Sequence, residues 1–319
     1  MSQQIRTQNF VQSVPYVPGG IATIQLPRMS DVETYLLDLV GTFTYPAGAT
    51  GALRTLGPQA LVSRVELIAD GKTTVLSAPG WAFGIASDRT FEGSGGGSYM
   101  QMTSPAANAL GTLQTQFYVD LMQFDGIKPK ESNLRARNLS ILELKITFAP
   151  WSECFVDPAS VPTVYNVNVF VDANYCTELD PETTKPAFLV KRTSQIIGAE
   201  SSNSAYQVRL PSGNIIRSVK FYTHINGVAT DTILQNVTAS NGIDTRVVSS
   251  ARALRVRQRG YKAPTTGFLE LDFARQLRGD VLISNAWAVP SPSEPILTLD
   301  YAGGPGRRIE MVISEIMRG

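Results

Sequence analysis

The sequence predicts an all-β protein built from two tandem β-sandwiches, and three observations support this fold class. Apolar and polar residues alternate in short segments along the whole chain, with Gly, Pro and Asn between them. Helical periodicity is confined to two short stretches. The order of the segments in the first half also recurs in the second half. Many short strands with few helices are typical of sandwiches and barrels.

Seven strands are predicted in the first half of the chain. They are expected at about residues 20–27, 34–45, 61–69, 73–77, 116–124, 139–149 and 162–174. Asp70 and Gly71 separate the third strand from the fourth. This dipeptide predicts a two-residue hairpin, because a type I′ turn requires positive φ at both central positions and Asp-Gly tolerates that conformation.

Eight further strands are predicted in the second half. They are expected at about residues 188–197, 204–210, 215–225, 232–238, 267–274, 280–286, 295–301 and 308–316. The clearest helical stretch covers residues 243–259, where apolar residues recur at three- and four-residue spacing. A shorter helix is predicted at residues 79–89.

Three pairs of segments match in the same order along the two halves. They are residues 19–41 with 203–225, 117–122 with 269–274, and 142–149 with 296–302. In the first pair, Pro27 falls on Pro211. We therefore predict an internal duplication in which Ile24 and Val208 occupy equivalent inward positions. Their strands are expected to end at the two prolines, because proline has no N–H to donate to a β-ladder.

The boundary between the halves is predicted from composition. Residues 177–187 concentrate acidic residues and two prolines between two apolar strands, which is typical of a linker. The expected organisation is an N-terminal arm at residues 1–18, a first sandwich at 19–176, this linker, and a second sandwich at 188–319.

Composition excludes several classes of protein. Hydrophobic residues make up 43% of the chain and charged residues 17%, and 28 basic residues nearly balance 27 acidic ones. Such a chain is neither intrinsically disordered nor a polyanion binder driven by bulk charge. No apolar run approaches the roughly 18 residues of a membrane-spanning helix. The first residues have no basic and apolar regions of a signal peptide, so we expect synthesis inside the cell.

The residues that most enzymes and metal sites require are scarce. A Ser-His-Asp or Cys-His mechanism would depend on His224, the one histidine of the chain. His224 lies on an alternating strand that ends at an Asn226-Gly227 turn, which favours a structural role. Cys154 and Cys176 are predicted to be free thiols. No cofactor site, metal site or catalytic residue is predicted.

Two stretches of the sequence resemble the major capsid proteins of tailless, membrane-containing icosahedral phages of the corticovirus and tectivirus kind. One is VPYVPGGIATIQLPRMSDVETYLLDL at residues 14–39, followed by VSRVELIADGK at 62–72. The other is PAFLVKRTSQIIGAESSNSAYQVRLPSGNIIRSVKFYTHING at residues 186–227. In that family each half begins with an apolar and basic segment, crosses a turn, and enters a strand that ends near Leu-Pro.

The resemblance implies two tandem eight-stranded jelly rolls, a double jelly roll with few short helices, and a structural role without enzymatic activity. It implies a homotrimer whose six sandwiches form a pseudo-hexagonal tile of an icosahedral virion shell around an internal membrane. Neighbouring trimers, minor capsid or penton proteins and the lipid are the implied partners. Sequence-specific nucleic-acid binding is not expected. The implied location is the virion, assembled in the host cytoplasm.

Residues 1–18 are expected to order only in the assembled shell, because the segment is polar and too poor in apolar residues to compensate for its own ordering entropy. Arg6 is the only charged side chain in this arm, so the arm neutralises phosphate poorly. The resemblance implies that such arms face the shell interior or the membrane. Arg6 and Phe10 are the residues expected to contact an anionic headgroup and an apolar surface.

A second candidate surface is basic. Arg252, Arg255 and Arg259 recur at i, i+3 and i+7 within the predicted helix of residues 243–259. Such a face can contact phosphate, lipid headgroups or the carboxylates of a neighbouring subunit. The simpler interpretation is a solvated helix or one that faces another subunit.

Two alternatives remain from the sequence alone. A tandem sandwich can be a lectin-like binding module or a phage appendage protein, in which Trp81, Trp151 and Trp287 would supply a platform for sugar rings. A jelly-roll glycoside hydrolase would require two carboxylates about 5–10 Å apart in a cleft.

Overall fold

Strands dominate both halves of the chain, as predicted. The structure is a computed structural model that describes residues 4–86, 100–103, 110–121, 134–178, 188–242, 244–259, 265–274, 286–288 and 293–318. The chain divides into two compact units, with the boundary along the chain between Leu189 and Val190. The predicted linker falls almost entirely on residues 179–187, which lie outside the described residues, as does most of the predicted strand at 280–286.

The first unit contains two sheets that face each other through buried side chains. Its strands are β1 (Gln4–Pro15), β2 (Ile21–Gln25), β3 (Asp31–Thr44), β4 (Val62–Ala69), β5 (Thr73–Ala78), β6 (Met100–Met102), β7 (Leu110–Asp120), β8 (Leu142–Phe148) and β9 (Val164–Glu178). One sheet has the strand order β1-β9-β3-β7-β6, and the other contains β5-β4-β8-β2. Short 3-10 turns lie at Gly57–Leu61, Gly80–Ala82, Ala136–Asn138, Trp151–Glu153 and Pro158–Ser160.

The second unit repeats this arrangement. Its elements are β10 (Phe188–Gly198), β11 (Asn203–Arg209), β12 (Ile215–Ile225), β13 (Val228–Ala229), β14 (Leu234–Ser240), β15 (Thr245–Ser250), α1 (Ala251–Gln258), β16 (Phe268–Asp272), β17 (Trp287–Ala288), β18 (Ile296–Tyr301) and β19 (Arg307–Arg318). One sheet contains β13-β12-β19-β10, with β16 and β17 also paired to β12. The other has the order β11-β18-β14-β15.

Alternation of apolar residues places one face of each strand in a core. On β8, Leu142, Leu144, Ile146 and Phe148 are buried while the residues between them are partly exposed. An aromatic cluster extends the first core at one end, where the ring of Trp151 lies 5.6–6.2 Å from its aromatic neighbours. These neighbours are Tyr16, Phe43, Phe155 and Tyr165.

The predicted duplication is confirmed by strand register. Ile24 on β2 pairs with Leu144 on β8, and Val208 on β11 pairs with Leu297 on β18. Ile24 and Val208 are both buried, at 0% and 2% exposure. Leu144 and Leu297 occupy matching positions of the segments that the sequence comparison aligned. The first strand of each repeat therefore has the same neighbour in the same register.

The prolines end these two strands as predicted. Leu26 donates its N–H to the carbonyl of Leu142 at 2.9 Å, and Leu210 donates to the carbonyl of Pro295 at 2.8 Å. Pro27 and Pro211 follow at once and have no N–H with which to extend the ladder.

Strands β3 and β12, which are each paired on both sides, match in finer detail. Leu37 on β3 pairs with Phe117 and Val171, and Phe221 on β12 pairs with Leu269 and Met311. A β-bulge interrupts β3 between residues 32 and 34, and another interrupts β12 between residues 216 and 218. The two bulges fall on aligned positions, so the duplication preserved an irregularity as well as a pattern.

The hairpin predicted at Asp70 and Gly71 is confirmed. Both residues have positive φ, at 53° and 65°, and they join β4 to β5. Asn226 and Gly227 form a second tight turn of this kind, between β12 and β13, with φ values of 49° and 82°. Both dipeptides therefore adopt the conformation that their residue types tolerate.

Two helix predictions were too long. Residues 245–250 form β15, which pairs with β14, and only Ala251–Gln258 is helical. Ser250 begins the helix, because its side-chain oxygen accepts the N–H of Ala253 at 3.2 Å. In the stretch at 79–89, the described residues contain only the 3-10 turn at Gly80–Ala82.

The expectation that the N-terminal arm orders only in an assembled shell is wrong for residues 4–15. They form β1, which pairs along its length with β9 of the same chain. Val14 and Tyr16 are buried, and the Tyr16 hydroxyl donates to the carbonyl of Ala149 at 2.6 Å. The backbone partner that the segment requires is therefore supplied within the first unit.

Candidate interaction surfaces

Arg6 and Phe10, the two residues predicted to contact an interior surface, lie on β1 and differ in their availability. Phe10 is 61% exposed, next to a bulge in the pairing of β1 with β9. The Nε atom of Arg6 lies 3.1 Å from Oε1 of Glu33, whose side chain is buried. Phe10 is thus free to contact another surface, whereas the guanidinium of Arg6 already neutralises a carboxylate of its own unit.

The predicted basic stripe is present on α1, and its middle member differs from the outer two. Arg252 and Arg259 are exposed. The Nε atom of Arg255 lies 3.1 Å from Oδ1 of Asp231, an oxygen that also accepts the N–H of Gly267 at 2.8 Å. Burial lowers the pKa of Arg255, while the charge of Asp231 opposes this shift. Arg255 therefore holds the helix to the turn before β14, and Asp231 in that turn also holds the backbone just before β16.

The face of α1 next to the basic stripe packs on the core of its unit. Ala251, Leu254 and Gln258 are buried at 1–4% exposure. The side-chain oxygen of Gln258 accepts the N–H of Glu270 on β16 at 3.2 Å. The helix is therefore fixed on two sides, and Arg252 and Arg259 remain to face solvent or a partner.

His224 has the structural role that its turn predicts. Its Nδ1 atom accepts the N–H of Gly227 at 3.0 Å, so this nitrogen carries no proton in that hydrogen bond. Its Nε2 atom lies 3.2 Å from Oε1 of Glu310, and its ring stacks on Tyr222 with the centroids 4.8 Å apart. The imidazole therefore fastens the turn between β12 and β13.

Buried charges at the two bulges were not identified from the sequence. Arg217, the bulged residue of β12, pairs with Asp272 on β16, and both side chains are buried. In the first unit, Thr34, which follows the matching bulge and aligns with Ser218, donates its hydroxyl to Asp120 at 2.8 Å. A signal was available, because an aspartate follows the alternating apolar residues at the same place in 117–122 and 269–274.

The tryptophans do not form a sugar platform. Trp81, Trp151 and Trp287 are buried at 1–2% exposure. Stacking against a sugar requires an exposed ring face. These side chains pack within the cores of their units, so they offer no support for the lectin-like alternative.

Cys154 and Cys176 are buried thiols that form no disulfide, as the sequence predicted. Burial raises the pKa of the Cys154 thiol, although the nearby Arg54 opposes the shift. Within the described ranges, no group of three or more His, Cys, Asp or Glu side chains is arranged to hold a metal ion. No helix in the described part of the chain is long and apolar enough to cross a membrane.

Comparison with known proteins finds similar three-dimensional structures but no similar sequences. No protein-family model and no curated protein sequence matches the chain. The major capsid protein of Sulfolobus turreted icosahedral virus has a TM-score of 0.72 and 17% identity, over 98% of this chain and 97% of that one. The major capsid protein of bacteriophage PM2 has a TM-score of 0.61 and 13% identity, over 99% of this chain and 98% of that one.

The PBCV-1 virus capsid contains a third similar chain, with a TM-score of 0.61 and 12% identity, over 99% of this chain and 94% of that one. At such low identity the likeness shows the fold alone. It nevertheless covers both units and nearly the full length of each chain. The protein therefore has the double jelly-roll fold of viral major capsid proteins.

Proposed function

We propose that this protein is the major capsid protein of an icosahedral virus, with a structural rather than an enzymatic role. The observation that carries the proposal is the duplicated module. Two equivalent units in one chain give six equivalent units in a trimer, which approximates sixfold symmetry and suits a hexagonal lattice position. Similarity to viral capsid proteins over 98% of the chain supports the same conclusion.

The composition fits a subunit that binds copies of itself. A formal net charge of +1 and a charged fraction of 17% give little electrostatic repulsion between copies. Lattice contacts with neighbouring trimers and with minor vertex proteins are part of the proposal, as is assembly in the host cytoplasm. Sequence-specific binding of nucleic acid is not part of it.

An internal membrane is the proposed surface beneath the shell. Phe10 is exposed and can insert at an apolar boundary. Arg6 would have to leave Glu33 to reach a headgroup, so of the two we assign the larger contribution to Phe10. The exposed Arg252 and Arg259 are proposed to contact carboxylates of a neighbouring subunit.

The oligomeric state of the purified protein tests this function. Light scattering at micromolar concentration should give a mass three times that of the 34.6 kDa chain. Electron microscopy of the same sample should show triangular particles with a pseudo-hexagonal outline. A stable monomer under these conditions would contradict the capsid function.

A further inference from the structure

Several strands border their sheets and leave backbone groups for another chain. Along the described part of the chain, β1, β2, β11 and β15 each pair with a single neighbouring strand. An open strand edge can add a further strand, and natural proteins shield such edges with Lys, Pro or short length. β1 runs for 12 residues and has no Lys or Pro between residues 6 and 14. Among the described residues, the protective features of this edge are therefore the charge of Arg6 and the bulge after Phe10.

The duplication allows each open edge to be compared with its counterpart in the other unit. β2 and β11 are equivalent and are open to the same degree. Thr23 and Gln207 are exposed at matching positions, beside the buried Ile24 and Val208. The exposure of this edge is the same in both units, so the comparison gives no reason to propose it as a binding surface.

β5 and β15 are also equivalent, but they differ in burial. Leu76 pairs with Leu67 on β4, and Val247 pairs with Ala239 on β14, in the same register. Leu76 is fully buried, whereas Val247 at the matching position is partly exposed. At the next position of each strand, Ser77 is partly buried and Val248 is 75% exposed. The same surface of the module is therefore closed in the first unit and open in the second.

For β1 and its counterpart β10, the strand of the first unit is the open one and the strand of the second unit is the more buried one. Matching hydrogen bonds align the two strands, because Tyr16 donates its N–H to Val167 where Ala199 donates to Arg307. These bonds lie just beyond the end of each strand, next to β9 and β19. β1 and β10 therefore occupy the same place in their units.

Burial along these two strands again differs. Val190 and Arg192 on β10 are 3% and 6% exposed. Thr7 and Asn9, which lie at the same distances before the aligned hydrogen bonds, are exposed. Each copy of the chain thus has two open edges, β1 and β15. Their counterparts in the other unit, β10 and β5, are more buried.

We propose that the open edge of β15 in one copy binds the open edge of β1 in a second copy by adding strand to strand. The contact joins two different surfaces, so it is head-to-tail and can close into a ring of three copies. The inference rests on the proposed trimer and identifies the strands that hold it. Backbone hydrogen bonds between the strands, with Val248 covered at the contact, would supply the attraction.

Lysine substitutions at the two edges test the contact, because a charged edge strand resists pairing. One variant is Val248→Lys on β15, and the other carries Thr7→Lys and Asn9→Lys on β1. All three side chains are exposed, so each variant chain should keep its fold, with the far-UV circular dichroism of the wild type and a single cooperative unfolding transition. Both variants should lose the trimer and run as monomers in light scattering at concentrations where the wild type is trimeric.

The matched control is Thr23→Lys on β2, which is also an open edge in the described chain but has an equally open counterpart. This variant should remain trimeric. Hydrogen exchange gives a second measurement, in which the amides of residues 5–14 and 245–250 exchange more slowly in the wild-type trimer than in the Val248→Lys monomer. The amides of β5 should be equally protected in both.

The results separate this contact from the proposed function. A trimer that survives either edge variant, or unprotected amides on β1 and β15 in the wild-type trimer, would overturn the contact and leave the capsid function standing. Loss of the trimer in the Thr23→Lys control would also overturn it, because the effect would not be specific to these edges. A monomeric wild type would overturn the capsid function and the contact together.

Discussion

At the scale of single residues, the buried ion pair of Arg217 and Asp272 is expected to affect the stability of the second unit. Its side chains are 8% and 3% exposed, and Oδ1 of Asp272 also accepts the N–H of Ala274 at 2.9 Å. Arg217 is held there by a bulge, which directs its side chain toward the aspartate. The pair therefore fixes the place where β12 leaves regular pairing with β19.

Removing one partner should destabilise the fold strongly. Arg217→Met removes the cation that pairs with the buried Asp272 carboxylate, and breaking a buried ion pair typically costs about 3–5 kcal/mol. The double variant Arg217→Met with Asp272→Leu should lose less, because it removes both charges of the pair. Urea unfolding of the wild type, both single variants and the double variant measures the coupling. Additive losses would show that the two side chains stabilise the fold independently.

Glu315 on β19 should make stability depend on pH. It is fully buried, and its Oε2 accepts the side-chain N–H of Asn214 at 2.7 Å. Burial raises its pKa above the usual 4.5, against smaller opposing effects of Asn214 and Lys191. Because the folded pKa exceeds the unfolded one, the stability contributed by Glu315 is complete below about pH 4.5 and is lost as the pH rises through the folded pKa.

Glu315→Gln should therefore gain stability relative to the wild type as the pH rises above 4.5. The glutamine carries no charge to be desolvated and keeps an oxygen for Asn214. Thermal unfolding of both proteins from pH 4 to pH 8 measures the difference. An identical pH dependence of the two melting temperatures would show that the buried carboxyl does not affect stability.

At the scale of secondary-structure elements, β3 and β9 approach so closely that a side chain is excluded. Gly41 on β3 pairs with Val167 on β9. A Cβ atom at Gly41 would lie 2.3 Å from the carbonyl oxygen of Asn166 and 2.5 Å from the Cα of Val167. Both contacts are with backbone, which cannot move without separating the strands.

Gly41→Ala should therefore destabilise the protein by about 1–3 kcal/mol or more, the usual range for overpacking. The control is Gly198→Ala at the end of β10, where a Cβ atom would have no neighbour within 4 Å. Chemical denaturation of the two variants compares them directly. Equal stability of both would mean that β3 and β9 can separate at little cost.

Local patterns predicted most elements because strand alternation and tight turns act over a few residues. The same locality explains the errors. Residues 245–250 have helical spacing, but β14 offers a ladder, and β-branched Val247 and Val248 favour it. β1 was missed because its sequence is polar, and its order depends on β9, more than 150 residues away along the chain.

At the scale of the whole molecule, duplication was the most informative pattern in the sequence. It aligned strands whose register the structure confirms, including Ile24 with Val208. It also placed Asp120 and Asp272 at matching positions, but the sequence did not reveal their partners. Those partners, Thr34 and Arg217, stand at neighbouring rather than equivalent positions of the repeats, and the bulge beside each of them leaves no mark in the hydrophobic pattern.

The difference between the two repeats matters more for assembly than their similarity. Neither propensity nor periodicity distinguishes an open strand edge from a closed one, because both have the same residue preferences. Only the comparison of burial at equivalent positions, such as Leu76 against Val247, separates them. The candidate contact surfaces therefore required the structure, although the proposed class of protein did not.

Alkylation of the two buried thiols would measure the opening rate of the first unit alone. Cys154 and Cys176 both belong to that unit, and the second unit contains no cysteine. An alkylating reagent can react with them only after the surrounding structure opens, since each is 0–1% exposed. Mass spectrometry of alkylated protein over time should give the opening rate of the first unit, and trimer formation should slow that rate. Alkylation as fast as in denatured protein would contradict their burial.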